Sequence, residues 1–235
     1  NISDSLLQGK GHKMANQQIE WGFLNESIGY INIHAFAGFG EKVSRRQQID
    51  TVAASMENIL SQLQHTEAIV VDVSFNFGGF DASVFTVAGY FTDRPVHAYT
   101  SQVFADGGFF QESKVMILPA KNMSYTKPVY VLMTDISRSA AEGFALAMGE
   151  LPHVKLVGIN TLGILSGMLG KSVGPFYLTL SNQRLVTPDG KYFEVNGVPP
   201  DIRLEVFSKK QVFDGHKIAV NRLMDMINEH LNLQN

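Results

Sequence analysis

The sequence predicts an α/β fold in which buried parallel strands alternate with helices. Two apolar runs, 68–73 and 128–134, are typical of strands that are buried on both faces. Between them, apolar residues at 44–64 recur every three or four positions, which is the spacing of one face of an amphipathic helix. Strand–helix–strand units of this length favour right-handed parallel crossovers in one main sheet. We therefore expect a single α/β domain.

The other elements can be assigned in order along the chain. The first 25 residues or so indicate a strand or hairpin that is appended to the sheet. Ser44 is the expected N-cap of the helix at 44–64, because a serine side chain can accept a hydrogen bond from the first helical turn. Strands are expected at 28–33, 68–73, 96–104, 115–118, 128–134 and 155–159, helices at 81–91, 139–151 and 214–231, and part of a hairpin at 177–185.

The composition excludes several classes of protein. The 235 residues include no cysteine, so disulfides, thiolate catalysis and Cys-ligated metals are ruled out. A formal net charge of -3 without long runs of one sign gives no indication of a nucleic-acid surface. No stretch approaches the roughly 20 apolar residues that a membrane-spanning helix needs, and no histidine or acidic cluster has metal-ligand spacing. We predict no cofactor, metal, nucleic-acid partner or membrane span; the oligomeric state stays open.

One serine occupies a position that suits nucleophilic chemistry. Ser139 lies between an apolar strand and the first turn of a helix, where unpaired backbone N–H groups point toward its hydroxyl. Such donors stabilise an oxyanion that forms there, and the small residues Ala140 and Ala141 leave room for a substrate carbonyl. Local spacing alone favours a simpler role, because Ser139 and Glu142 have the three-residue separation of a capping box.

Four segments, in this order, carry a resemblance to a known family. They are Gly29-Tyr-Ile-Asn-Ile33, Val71-Asp-Val-Ser-Phe-Asn-Phe-Gly-Gly79, Ser139-Ala-Ala-Glu142 with the Leu-Pro-His-Val run that follows, and Glu194-Val-Asn-Gly-Val-Pro-Pro-Asp201. Over roughly 28–204 the chain resembles the C-terminal-processing (tail-specific) and tricorn-core serine peptidases. The resemblance implies a crotonase-like α/β core and peptide-bond hydrolysis through an acyl-enzyme.

The resemblance also implies roles for individual residues. Ser139 matches the family's nucleophile. Ala140 and the glycine turn, Gly78 first and Gly79 second, match the two sources of N–H groups for the oxyanion hole. A Gly-Gly turn after a buried strand lets backbone donors approach a carbonyl without obstruction by side chains. Without the family, an ordinary tight turn explains the two glycines equally well.

The general base is where the sequence departs from half of the family. Tail-specific members use a lysine in a Thr-x-Gly-Lys segment, whereas the matching run here is Thr161-Leu-Gly-Ile164. Isoleucine cannot take a proton, which excludes a Ser–Lys dyad at that position. Lys155 and Lys171 could approach the serine only through an unusual geometry.

The tricorn branch offers a different route to the base. It activates its serine with a histidine, which a glutamate and a second serine help to orient. Glu194 matches that glutamate. The family's histidine lies upstream of the Gly-Tyr strand, where this chain has only His12, in surroundings unlike the family's. We expect the base to lie outside this chain, with His12 as a substitute.

Further residues have weaker assignments. Glu142 is expected to act as an accessory that hydrogen-bonds to nearby backbone. Ser166, in the glycine-flanked loop 163–170, is a candidate accessory or substrate contact, with simple solvation as the favoured alternative. Asp72 is expected to serve a buried hydrogen bond, and His216 to lie on a helix surface.

The whole chain is interpreted as part of a longer protein. We expect 1–27 to form an N-terminal extension and 28–235 to form the catalytic core of a serine peptidase that acts on proteins or peptides. The region 33–68 has room for a loop and one helix only, so no PDZ module is expected there. The resemblance implies an extracytoplasmic bacterial enzyme, periplasmic or secreted, although no signal peptide is visible. The alternative is a non-catalytic peptide- or lipid-binding module on the same fold.

Overall fold

A computed structural model describes residues 6–207 and 214–232 and shows a mixed α/β fold. Its helices are α1 (Arg45–Leu63), α2 (Asp81–Ala88), α3 (Ala140–Gly149) and α4 (Gly215–Asn232), with a 3-10 turn at Gly89–Phe91. Its strands are β1 (His12–Met14), β2 (Ile19–Phe23), β3 (Ile28–Ile33), β4 (Ala68–Asp72), β5 (Val96–Ala105), β6 (Gly108–Ile117), β7 (Val129–Met133), β8 (Val154–Gly158), β9 (Met168–Val173), β10 (Phe176–Ser181), β11 (Gln183–Val186) and β12 (Ile202–Arg203). Across these two ranges, no helix is long and apolar enough to cross a membrane.

The main sheet has seven strands in the order β1-β2-β3-β4-β7-β8-β12. Strands β3, β4, β7, β8 and β12 run parallel, and β1 and β2 form an antiparallel hairpin that extends the sheet at one edge, as predicted. The register pairs Asn32 with Asp72 and Asp72 with Leu132, so the carboxyl ends of the three central strands coincide. Segments that follow these strands therefore meet at one edge, where α/β proteins place their sites.

Both faces of the sheet are buried, which explains why its strands are nearly continuous apolar runs. Alternate residues point to opposite faces. Ile31, Val71 and Val131 belong to the larger core cluster, to which α1 and α3 contribute. On the other face, Tyr30 and Leu132 pack in a second cluster with apolar residues of α4.

Helix α1 forms where its pattern predicts, and the predicted cap is present. Ser44 has the extended backbone of an ordinary N-cap, with φ -65° and ψ 160°. Its hydroxyl accepts a hydrogen bond from the N–H of Gln47, and the Gln47 side chain accepts one from the N–H of Ser44. The buried side of the helix includes Val52, Met56 and Ile59.

The antiparallel parts of the fold differ most from the prediction. Strands β11, β5 and β6 form a three-stranded sheet, so β6 is ten residues long where only 115–118 was expected. Strands β9 and β10 form a separate hairpin that is exposed on both faces. Its first strand was not predicted, because Met-Leu-Gly-Lys-Ser-Val lacks the alternation that burial of one face imposes.

Candidate active site

The backbone of Ser139 is unusual for a helix N-cap. Its φ is 55° and its ψ is -124°, a combination that residues with a side chain rarely adopt. The other serine N-cap of the fold, Ser44, has ordinary extended dihedrals. Capping therefore does not require the conformation of Ser139. Strain of this kind, of the order of 1–3 kcal/mol, clusters at functional sites.

The glycine turn after β4 lies directly against Ser139. A β-carbon added to Gly78 would sit 2.8 Å from the Cβ of Ser139 and 3.0 Å from the amide nitrogen of Ala140. Only glycine fits there, all the more because its φ is +98°. Asn76 fixes the turn, since its Oδ1 accepts the N–H of Gly78 and its Nδ2 donates to the carbonyl of Ile33.

Two backbone donors remain available beside the serine. The N–H of Gly78 is occupied by Asn76. By contrast, the N–H groups of Gly79 and Ala140 have no acceptor within residues 6–207 and 214–232. Because Ala140 is the first residue of α3, the positive end of the helix dipole adds to its N–H group. The arrangement can therefore stabilise a negatively charged oxygen at this edge of the sheet.

Glu142 ties the serine to the segment that follows β8. The side chain is completely buried. Oε2 accepts the N–H of Ser139 at 3.0 Å and the N–H of Ile164 at 2.8 Å. Oε1 accepts the hydroxyl of Thr161 at 2.6 Å and the N–H of Gly163 at 2.7 Å. Glu142 thus does more than hydrogen-bond to nearby backbone, because it connects two distant parts of the chain.

Glu194 continues the same support. Its Oε2 accepts the N–H groups of Leu165 and Ser166, both at 2.9 Å. The four successive N–H groups of residues 163–166 therefore donate hydrogen bonds to two carboxylates. Ile164 completes the connection, because its carbonyl oxygen accepts the N–H of Ser139 at 3.1 Å. Ser166 is buried rather than solvated, and its hydroxyl accepts the N–H of Gln183.

The structure does not bring His12 together with Ser139. His12 lies in the edge strand β1 and stacks on Trp21, with ring centroids 4.7 Å apart. Four strand positions separate β1 from β7, which at about 4.8 Å per strand is roughly 19 Å. Lys155 pairs with Tyr130 near the amino end of β7, away from the carboxyl end where Ser139 follows. Lys171 lies in the exposed hairpin. In the part of the chain that the structure describes, no histidine or lysine side chain forms a hydrogen bond with the serine.

Comparison with known proteins places the chain in a family. Residues 27–204 match peptidase family S41. The chain belongs to that family. It is 26% identical over 198 residues to the carboxy-terminal processing protease CtpA of Bacillus subtilis (strain 168), covering 82% of this chain and 39% of that protein. The chain thus spans less than half the length of that S41 relative.

Solved structures show the same fold. A crystal structure of a putative peptidase from Parabacteroides merdae superposes with a TM-score of 0.80 at 18% identity, covering 96% of this chain and 68% of that one. Mature CPAF complexed with lactacystin superposes with a TM-score of 0.74 at 14% identity, covering 94% of this chain and 54% of that one. At these identities the similarity establishes the fold of the S41 core.

The S41 core of this chain also contains a buried polar cluster on the face that α4 covers. Asp72 Oδ2 accepts the hydroxyl of Tyr30 at 2.6 Å and lies 2.6 Å from Nε2 of His216, and Oδ1 accepts the N–H of Ser74 at 2.8 Å. The expected buried hydrogen bond of Asp72 is confirmed. The expectation that His216 lies on a helix surface is wrong, because its exposed fraction is 3%.

The sequence contains a signal for His216 that was missed. It lies four residues before Val220, on the apolar side of α4, so the helical spacing places it against the sheet. Burial opposes ionisation of Asp72, but the attraction of His216 and the hydrogen bonds to the carboxylate outweigh it, so the pKa of Asp72 lies below its ordinary value. Burial and the charge of Asp72 raise the pKa of Tyr30.

Proposed function

We propose that residues 28–235 form the catalytic core of a serine peptidase that hydrolyses peptide bonds through an acyl-enzyme on Ser139. The observation that carries the proposal is the strained backbone of Ser139, at the start of α3 and against Gly78. Family membership supports it, as does the resemblance to the tail-specific and tricorn-core enzymes. A crotonase-like core and an extracytoplasmic location in a bacterium belong to the same proposal.

The proposed reaction is acyl transfer through Ser139. The Ser139 hydroxyl loses its proton to a base while its oxygen attacks the carbonyl carbon of the substrate. The carbonyl oxygen becomes an oxyanion that accepts the N–H groups of Gly79 and Ala140. Collapse expels the amine, which takes the proton from the base. Water then attacks the acyl-enzyme and transfers one proton to the same base. The base returns this proton to the Ser139 oxygen as the ester bond breaks and the acid is released.

The two glutamates act in this proposal by holding parts in place. Glu142 and Glu194 fix the 163–166 segment, whose carbonyl at Ile164 holds the backbone of Ser139. A carboxylate whose lone pairs are occupied by backbone donors is suited to positioning. Because residue 164 is isoleucine, we propose that a histidine from outside these 235 residues supplies the base, as in the tricorn branch.

Labelling with a small fluorophosphonate tests the nucleophile. The wild-type chain and a longer parent that includes upstream residues would be compared with Ser139→Ala, with Ser44→Ala as the matched control because Ser44 is also an N-cap. We expect the parent to label, Ser44→Ala to label equally, and Ser139→Ala not to label. Labelling of the isolated chain at the parent's rate would place the base within it. Failure of both forms to label, or persistent labelling of Ser139→Ala, would remove Ser139 from its role.

A further inference from the structure

A cavity of about 340 Å³ lies beside the segment that the two glutamates hold. This volume is at the lower end of the roughly 300–1,000 Å³ range of ligand pockets. Three aromatic side chains, Phe104, Phe109 and Tyr192, line it together with Ser166 and Glu194. All three are 41–57% exposed, so the apolar lining is open to a ligand.

The cavity is close to the proposed nucleophile along the backbone. The N–H of Ser139 donates to the carbonyl of Ile164, and Ser166 in the cavity wall is two residues further on. Extended chain advances about 3.3 Å per residue, so the backbone of Ser166 lies at most about 7 Å from that of Ile164. An extended peptide with its reacting carbonyl at Ser139 can therefore place a side chain in the cavity within two or three residues of that carbonyl.

The charges of the cavity wall restrict the ligand. The guanidinium of Arg184 lies 4.0 Å from the ring centroid of Phe109, and its Nε donates to the side-chain oxygen of Gln102 at 2.6 Å. Within the described ranges it forms no ion pair with a carboxylate. Glu194 lines the same cavity. The wall thus carries one positive and one negative group and has no excess charge that would select a charged ligand, and Glu194 Oε2 already accepts two backbone N–H groups. A neutral ligand avoids the cost of desolvating a charge against this wall.

The ring geometry favours an aromatic ligand. Phe104 and Phe109 form an edge-to-face pair with ring centroids 5.2 Å apart. A third ring can join such a pair, and it can also stack on the planar guanidinium of Arg184. We propose that this cavity binds a neutral aromatic side chain of the peptide substrate, two or three residues from the scissile bond. The inference rests on the proposed function for the identity of the ligand.

Binding to an inactive variant tests the cavity apart from the chemistry. Calorimetry would measure the binding of acetyl-pentaalanine-amide and of five variants to the Ser139→Ala protein, each variant with a single phenylalanine at a different position. Peptides with leucine, lysine or glutamate in place of that phenylalanine would be measured in the same way. We expect one phenylalanine position to bind about tenfold or more tightly than alanine, because burial of such a ring is worth about that factor. Leucine should fall between the two, and the charged residues should give no gain.

Two cavity variants and a control complete the test. Phe104→Ala and Arg184→Gln should each reduce the phenylalanine preference at least fivefold, while Tyr177→Ala, which removes a more exposed aromatic ring on the β9–β10 hairpin, should preserve it. Thermal unfolding would verify that each variant is folded. Equal binding of the phenylalanine and alanine peptides, or equal loss in Tyr177→Ala, would overturn the proposal. Fluorophosphonate labelling of the parent reports separately on Ser139. If the serine is reactive but the cavity shows no preference for phenylalanine, the cavity proposal is refuted and the proposed peptidase function is not.

Discussion

Replacing Glu142 by glutamine tests whether the buried carboxylate holds the serine in its strained conformation. Glutamine has the same shape but exchanges one acceptor oxygen for an NH2 group. At Oε2 that group would face two backbone donors, from Ser139 and Ile164. At Oε1 it would face the N–H of Gly163 and the hydroxyl of Thr161, which can turn and accept. The amide nitrogen should therefore replace Oε1.

The cost follows from that count of hydrogen bonds. The N–H of Gly163 loses its acceptor, which for a buried donor costs about 1–3 kcal/mol. The two hydrogen bonds to the remaining oxygen lose the assistance of the charge, which roughly halves their strength. We expect Glu142→Gln to lower the free energy of unfolding by about 2–4 kcal/mol. Because Ser139 is then less firmly held, its fluorophosphonate labelling should slow about tenfold or more.

Urea unfolding followed by circular dichroism measures the first quantity, and timed labelling of the parent protein measures the second. Glu41→Gln is the matched control, because Glu41 is exposed and its charge change is the same. If Glu142→Gln unfolded within 1 kcal/mol of that control and labelled at its rate, the four hydrogen bonds would not hold the serine, and the positioning role of Glu142 would be refuted.

Three other substitutions test neighbouring parts of the site. Gly79→Ala would place Cβ 2.4 Å from the carbonyl carbon of Phe36, at a φ of +147°. We expect this variant to lose about 3 kcal/mol or more of unfolding free energy, measured by thermal unfolding. Gly107→Ala, also at positive φ but with open space around it, should lose only about 1 kcal/mol. Because the pKa of Asp72 is lowered by folding, its contribution to stability is present above its ordinary value of 3.8 and is lost as the pH falls through the folded value. Asp72→Asn should therefore destabilise the protein at pH 7 by about 3 kcal/mol. It should also make the free energy of unfolding fall less steeply as the pH is lowered, and an unchanged pH dependence in the acid range would contradict this. Glu194→Ala should raise the activation free energy of labelling of the parent by more than it lowers the free energy of unfolding. The reverse order would show a merely structural role.

Much of the sheet could be predicted because its signals are local. Each central strand is an apolar run, and the 3.6-residue period of α1 together with Ser44 identifies that helix and its start. Strand β9 could not be found in this way. Its pairing with β10 leaves both faces exposed, so burial imposed no pattern on the sequence.

The arrangement of the candidate site could be predicted only in part. The motifs indicated Ser139 and the glycine turn, but spacing cannot show which glycine has a free N–H. That depends on Asn76, whose side chain occupies the N–H of Gly78. Nor could the sequence show that Glu142 and Glu194 hold successive backbone groups, because these hydrogen bonds connect residues 21–29 positions apart.

The strained backbone of Ser139 has a consequence for the newly synthesised chain. The groups that hold it come from the turn at Asn76, from the segment near Ile164 and from Glu194, so they meet only after most of the chain has folded. Pairings between such distant residues form slowly, because long loops must close first. Until then Ser139 is an ordinary flexible serine without donors for an oxyanion. On the proposed function, Ser139 therefore becomes reactive only after these distant segments have met.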